Sequence, residues 1–150
     1  NENKVFVYKN PVTQLESKLG ILTPVYILKT TNPNSVTFSS SAQFIAAQGG
    51  TQFAVYDIYN DKGFIYDAAV PMDAPQEHAS WMDGNRLMYT SNGKLVVFDY
   101  DHINVRTLVG IQPQYAPAFD TSYKIVHTLT KQKDGKIILS STSLLTPADQ

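Results

Sequence analysis

Apolar residues in this chain fall in runs of four to six, bounded by Gly, Asn, Asp or Pro, and almost never at the i, i+3, i+4, i+7 spacing of an amphipathic helix. Runs of that length and boundary predict short β-strands. One stretch departs from the pattern: Leu15 and Leu19 stand four apart within Thr13 to Leu19, which predicts a single short helical turn.

The strand pattern repeats. Phe38, Trp81 and Phe119 are each followed six positions later by an apolar residue, Phe44, Leu87 and Ile125, that opens a second strand. Each second strand runs into Gly49-Gly50, Asn92-Gly93 or Asp134-Gly135, pairs that tolerate the positive φ of tight hairpins. Third strands follow from Phe53, Leu95 and Lys136, and fourth strands are predicted around Phe64 to Tyr66, Val105 to Val109 and Ser143 to Leu145. Phe38 to Trp81 is 43 residues and Trp81 to Phe119 is 38. Four antiparallel strands in about 40 residues is one β-propeller blade.

This periodicity predicts an all-β fold, a partial propeller of about three and a half four-stranded blades. The blades span residues 35–70, 75–110 and 113–147. Residues 1–30 read as an incomplete blade, with Val5 to Tyr8 as its third strand and Val25 to Leu28 as its fourth. A β-sandwich also has many short strands, but it does not require the same aromatic spacing three times. A blade is apolar on both faces and needs a neighbour on each. An open row of this length is therefore expected either to associate with itself through its end blades or to belong to a longer propeller.

Composition agrees. Strand formers (Val, Ile, Thr, Phe, Tyr, Trp) make up about a third of the 150 residues. The formal charge of -1 leaves no excess of cations to neutralise phosphates, which argues against nucleic acid as a partner. The absence of cysteine removes disulfides, thiolate metal sites and cysteine nucleophiles. No run approaches the roughly 20 apolar residues that cross a bilayer, so this segment is not expected to insert in a membrane.

Residues 78 to 109, HASWMDGNRLMYTSNGKLVVFDYDHINVRTLV, resemble the TolB-like propeller repeat, in which a strand ends in Asp before a short polar turn. Asp57 and Asp99 occupy that strand-end position, and Ser141 stands there in the last unit. The chain, particularly residues 44 to 109, is also similar to the C-terminal propeller-like region of bacterial PEGA-domain proteins. The resemblance implies an extracellular or cell-envelope protein and brings no catalytic motif. Trp81 opens its unit, so Trp81-Met82-Asp83 is not the tryptophan-aspartate dipeptide that ends a third strand in another propeller family. It is expected, with Phe38 and Phe119, to be a core aromatic between blades.

Candidate chemistry is sparse. Nucleophilic hydrolysis needs an activated nucleophile, a base and an orienting group, and no Gly-x-Ser-x-Gly elbow occurs. His127 occupies an ordinary strand position, and His78 and His102 fall in separate connections. Asp99-Tyr100-Asp101 begins like a calcium loop, but Ile103 stands where the third oxygen ligand belongs. Turn formation is the expected role of Asp57, Asp99 and Asp101. Lys131, Lys133 and Lys136 form a basic hairpin end that a solvated turn explains. No cofactor, metal or catalytic residue is assigned.

Binding surfaces of such scaffolds lie on connections at one end of the blades. The linkers from Pro71 to His78 and from Gly110 to Ala116 carry the candidates: Asp73, Glu77, His78, Gln112, Gln114 and Tyr115. They suit a protein or glycan ligand. The chain is read as a non-catalytic scaffold or binding module. The rival is the propeller accessory domain of a hydrolase, a peptidase or glycosidase.

Overall fold

The computed structural model describes residues 3–17, 19–68, 70–74 and 78–144. Four antiparallel sheets succeed one another along the chain. The first pairs β1 (Lys4–Val7) with β2 (Tyr26–Lys29). The second is the meander β3 (Ser35–Phe38), β4 (Phe44–Gly49), β5 (Gln52–Asp57), β6 (Lys62–Asp67). The third repeats it as β7 (Ser80–Trp81), β8 (Arg86–Ser91), β9 (Lys94–Asp99), β10 (Arg106–Gly110). The fourth holds β11 (Ala118–Phe119), β12 (Ile125–Lys131) and β13 (Ile137–Ser143). The fold is an open β-propeller arc.

Strand alternation explains why the sheets stack in a row. In β4 and β5, Phe44, Ala46, Phe53 and Val55 point to one face, where they meet Leu87, Tyr89, Val96 and Phe98 of the third sheet. Ile45, Ala47, Ala54 and Tyr56 point to the other, where they meet Leu28 of β2. In β9, Leu95 and Val97 turn away from that first cluster and pack with Met82, Ile111 and Val126 toward the fourth sheet. The apolar interior is thus three separate layers, each between consecutive sheets, and a sandwich has only one. Burying each large apolar side chain contributes about 1.5–3 kcal/mol, so both faces of the central sheets stabilise the fold.

The same contact recurs between the outermost strand of one sheet and the third strand of the next. Tyr26 of β2 stacks on Tyr56 of β5 with ring centroids 4.1 Å apart. Tyr66 of β6 meets Phe98 of β9 edge-on at 6.1 Å, and its hydroxyl donates to the Tyr100 carbonyl at 3.0 Å. Gly63 in β6 makes the first contact possible, because a Cβ there would lie 1.7 Å from the Tyr26 hydroxyl oxygen.

Hairpin turns follow their residues. Asn92 and Gly93 both have positive φ (50° and 67°), the type I′ pattern, whereas Gly50 alone is positive (59°) in the β4–β5 turn. The Asp134-Gly135 turn is longer: Lys131 pairs with Ile137, leaving residues 132–136 in the loop.

Several expectations need correction. The helix (α1) is Pro11–Leu15, earlier than Thr13 to Leu19, because Pro11 presets φ at its first turn. The fourth strand expected at Ser143 to Leu145 is not there as drawn: β13 extends through Ser143, and residue 145 lies outside the described residues. The equal spacing of six hides a register shift. Phe38 faces Ile45 and Phe119 faces Val126, but Trp81 faces Leu87, so the counterpart of Phe44 and Ile125 is Arg86. Asp83 tightens that turn by accepting the Asn85 and Arg86 amides at 2.8 and 2.7 Å. Asp57 pairs with Phe44, Asp99 with Arg86 and Ser143 with Ile125, so Ser143 and not Ser141 holds the strand-end position. Finally, Phe38 is 60% exposed, whereas Trp81 donates its indole N–H to Thr37 Oγ1 at 3.1 Å and stacks on Phe44. Trp81 has a preceding sheet to pack on; Phe38 has only the two strands of the first.

Asp57 closes the β5–β6 turn. Burial pushes its carboxyl upward, but hydrogen bonds from the Asn60 side chain and amide, Gln43 and the Tyr59 amide outweigh that and hold it below the usual range. The sign of the linkage follows: this stabilisation is complete above the unfolded carboxyl pKa of about 3.9 and is lost as pH falls through the lower folded value. Chemical denaturation between pH 6 and pH 2 should show stability dropping below about pH 4, and Asp57→Asn should flatten the drop. Gly63→Val should cost about 1–3 kcal/mol by overpacking against Tyr26, read as a lower thermal midpoint.

Candidate functional site

Two linkers predicted from sequence converge on a single hairpin tip. Asp73 accepts the Asn92 and Gly93 amides on its two carboxylate oxygens at 2.8 and 2.7 Å, and its own amide donates to the Thr90 carbonyl at 2.7 Å. The second linker enters beside it, where the Ile111 amide donates to the Gly93 carbonyl at 2.9 Å and the Gln112 amide to the Leu129 carbonyl at 2.8 Å. Asn92 and Gly93 adopt positive φ, which turns backbone amides and a carbonyl outward for both linkers to use. The connection between the first and second sheets makes the equivalent bond, with the Asn34 amide on the Gln48 carbonyl at 2.9 Å.

The backbone of this end is therefore pinned while some side chains are left to solvent. Asp73 is half-buried with both oxygens committed, so it is a clamp and not a free ligand. Gln114 and Tyr115 are exposed, Tyr115 at 38%, and the Tyr115 amide returns to the Gln112 carbonyl at 3.0 Å in a tight turn. Gln112 is half-buried beneath them. His78 is exposed, next to the buried Ala79 whose amide donates to Gln48 Oε1 at 2.8 Å. No side-chain bond joins His78 to Gln112, Gln114 or Tyr115. Glu77 lies outside the described residues.

Gln48 is a residue that the sequence reading missed. It is buried in the middle of a sheet, and its amide nitrogen reaches the Gly50 carbonyl at 2.7 Å and the Met72 sulfur at 3.2 Å while its oxygen takes the Ala79 amide. It thus ties both ends of the 70–79 connection to β4. The available signal was a polar residue in an otherwise apolar strand, which must find partners when buried.

The other candidates resolve into turns and cross-strand pairs. Asp99 accepts the Asn104 side-chain amide at 2.7 Å, and Asp101 accepts the Ile103 amide at 3.2 Å. Asp120 accepts the Lys124 and Ile125 amides at 2.7 Å and the Ser122 hydroxyl; these bonds hold its carboxyl down to about 2. Among the described residues no group of three His, Cys, Asp or Glu side chains is placed to hold a metal ion. His127 Nδ1 lies 2.8 Å from Ser141 Oγ, which is a contact the sequence reading did not foresee. The two are directly opposed on β12 and β13. Nucleophilic activation also needs an orienting carboxylate and oxyanion donors, and no carboxylate bonds His127 among the described residues. The pair is a cross-strand contact on a sheet face. At the basic hairpin, Lys136 pairs with Asp134 at 3.2 Å.

No family model matches the chain, and no curated protein matches it. Among solved structures it is similar to the N-terminal domain of Nup159, with a TM-score of 0.53 and 13% identity over 99% of this chain. The same values hold for an S. cerevisiae assembly in which Dbp5 is bound to Nup159, Gle1, IP6 and ADP. That domain is a β-propeller, and at this identity the likeness establishes the fold alone. The chain spans 41% of the length of either neighbour. Neither neighbour is a TolB-like or PEGA-domain protein.

Removing the clamp should be measurable. Asp73→Ala leaves the Asn92 and Gly93 amides without acceptors and should cost about 1–3 kcal/mol. Hydrogen exchange at those two amides should accelerate, while exchange in β4 and β5 should not.

Proposed function

We propose that this chain is a non-catalytic propeller-type module that presents the surface built on the 70–74 and 110–116 linkers to a protein or glycan partner. The observation that carries the reading is the convergence of both linkers on Asn92-Gly93. Ile111 pinned at that tip and Gln112 pinned on Leu129 hold the tight turn that carries Gln114 and Tyr115, so those side chains stand to solvent at little cost in entropy on binding. An exposed Tyr on a rigid turn is a common anchor, being large, amphipathic and limited in rotamers. The structural neighbour Nup159 is found bound in an assembly with Dbp5 and Gle1, which supports a protein-binding use of the architecture. The TolB-like repeat pattern and the similarity to PEGA-domain proteins support placing the module at a bacterial cell surface or envelope.

An array of glycans and a set of envelope proteins, probed with the labelled chain, should yield a ligand whose binding falls about tenfold or more in Tyr115→Ala with an unchanged melting curve. A ligand indifferent to Tyr115 and Gln114 would move the surface elsewhere. A parallel screen against peptide and glycoside substrates should show no turnover; turnover abolished by His127→Ala would replace the scaffold reading with an enzymatic one.

A further inference from the structure

The layer between the first and second sheets is only half filled. Toward the outside, Tyr26 and Leu28 of β2 cover Tyr56, Ala54 and Ile45. Toward the inside, a cavity of about 700 Å³ opens between β1 and the second sheet, lined by Phe6, Tyr8, Val36, Phe38, Ile45 and Ile58 among others. Five of these six are exposed, Phe38 to 60% and Phe6 to 48%. Among the described residues β1 pairs only with β2, so its other edge is open along the same cavity.

The next layer gives the shape of the missing occupant. There, Trp81 packs on the preceding sheet through Thr37 at the end of β3 and Phe44 at the start of β4. By register, Phe38 is the counterpart of Trp81. The fourth sheet carries the counterparts of Thr37 and Phe44, which are Ala118 and Ile125. Ala118 is exposed, Ile125 is 39% exposed, and Ile137 and Leu139 on β13 are 46% and 69% exposed. The chain therefore bears at one end the apolar face that its other end lacks.

We infer that two copies associate head to tail, the outward face of the fourth sheet of one seated in the cavity of the other, with Ile125 and Ala118 against Phe38. The contact continues between molecules the stacking that already holds the sheets together within each. Each copy carries this cavity and its matching face, so two copies satisfy each other twice about a two-fold axis. Exposed apolar surface of this extent at both ends supplies the driving force.

Light scattering after size exclusion should give twice the chain mass of 16.7 kDa at micromolar concentration. Phe38→Asp and Ile125→Asp should each weaken association by about tenfold or more, and an equimolar mixture of the two should recover a heterodimer, since one intact face still meets one intact cavity. If either variant loses its circular dichroism spectrum, Phe38→Ser and Ile125→Ser make the same comparison. A stable monomer overturns the inference. So does an oligomer that survives both substitutions, or one that mixing fails to restore, as pairing of like ends would.

Discussion

The physical constraint on which this molecule depends is that its sheets are apolar on both faces. A pleated strand sends alternate side chains to opposite sides, so β4, β5 and β9, each with four consecutive apolar residues, cannot be covered by one neighbour. Each sheet must lie between two others, and the chain obeys by laying its sheets down in sequence. The three apolar layers, the aromatic contacts of Tyr26 with Tyr56 and Tyr66 with Phe98, and the reach of Trp81 back to Thr37 are all expressions of that requirement.

Connections solve a second problem, the satisfaction of backbone groups where the strands stop. At one end carboxylates do it: Asp57, Asp83 and Asp120 accept backbone amides within five residues and Asp99 takes the Asn104 side chain, which makes the turns compact and uses up the acidic side chains. At the other end longer connections run back over the hairpin tips, anchored by Gln48 and Asp73. Polar atoms spent on structure are not free for chemistry, which is why most acidic candidates reduce to turns and why the proposed binding surface rests on Gln114 and Tyr115. The cavity beside β1 and the bare face of β12 and β13 arise where the stacking requirement is left unmet.

Much of this was legible in the residues. Runs of four to six apolar residues between Gly, Asn and Asp marked the strands, and Asn92-Gly93 located a hairpin because its two residues accept positive φ. The repeat disclosed the radial order before any coordinate, and the turn roles of Asp57 and Asp99 at strand ends, and of Asp101 two residues beyond, followed from their positions. The linkers that build the candidate surface were also found, since their Pro-rich composition breaks the strand pattern. These features are local: they depend on alternation and on dihedral preference within a few residues.

What only the tertiary structure decided depends on neighbours distant in the chain. Register in the third sheet shifted by one because Asp83 could close a shorter turn, and equal spacing in sequence concealed it. Asp73 became a clamp because the fold brings it to amides nineteen and twenty residues away. His127 met Ser141 because a long hairpin set their strands opposite each other. Phe38 and Trp81 share a place in the repeat, yet one is bare and the other packed, because burial belongs to the partner across the layer and not to the residue itself.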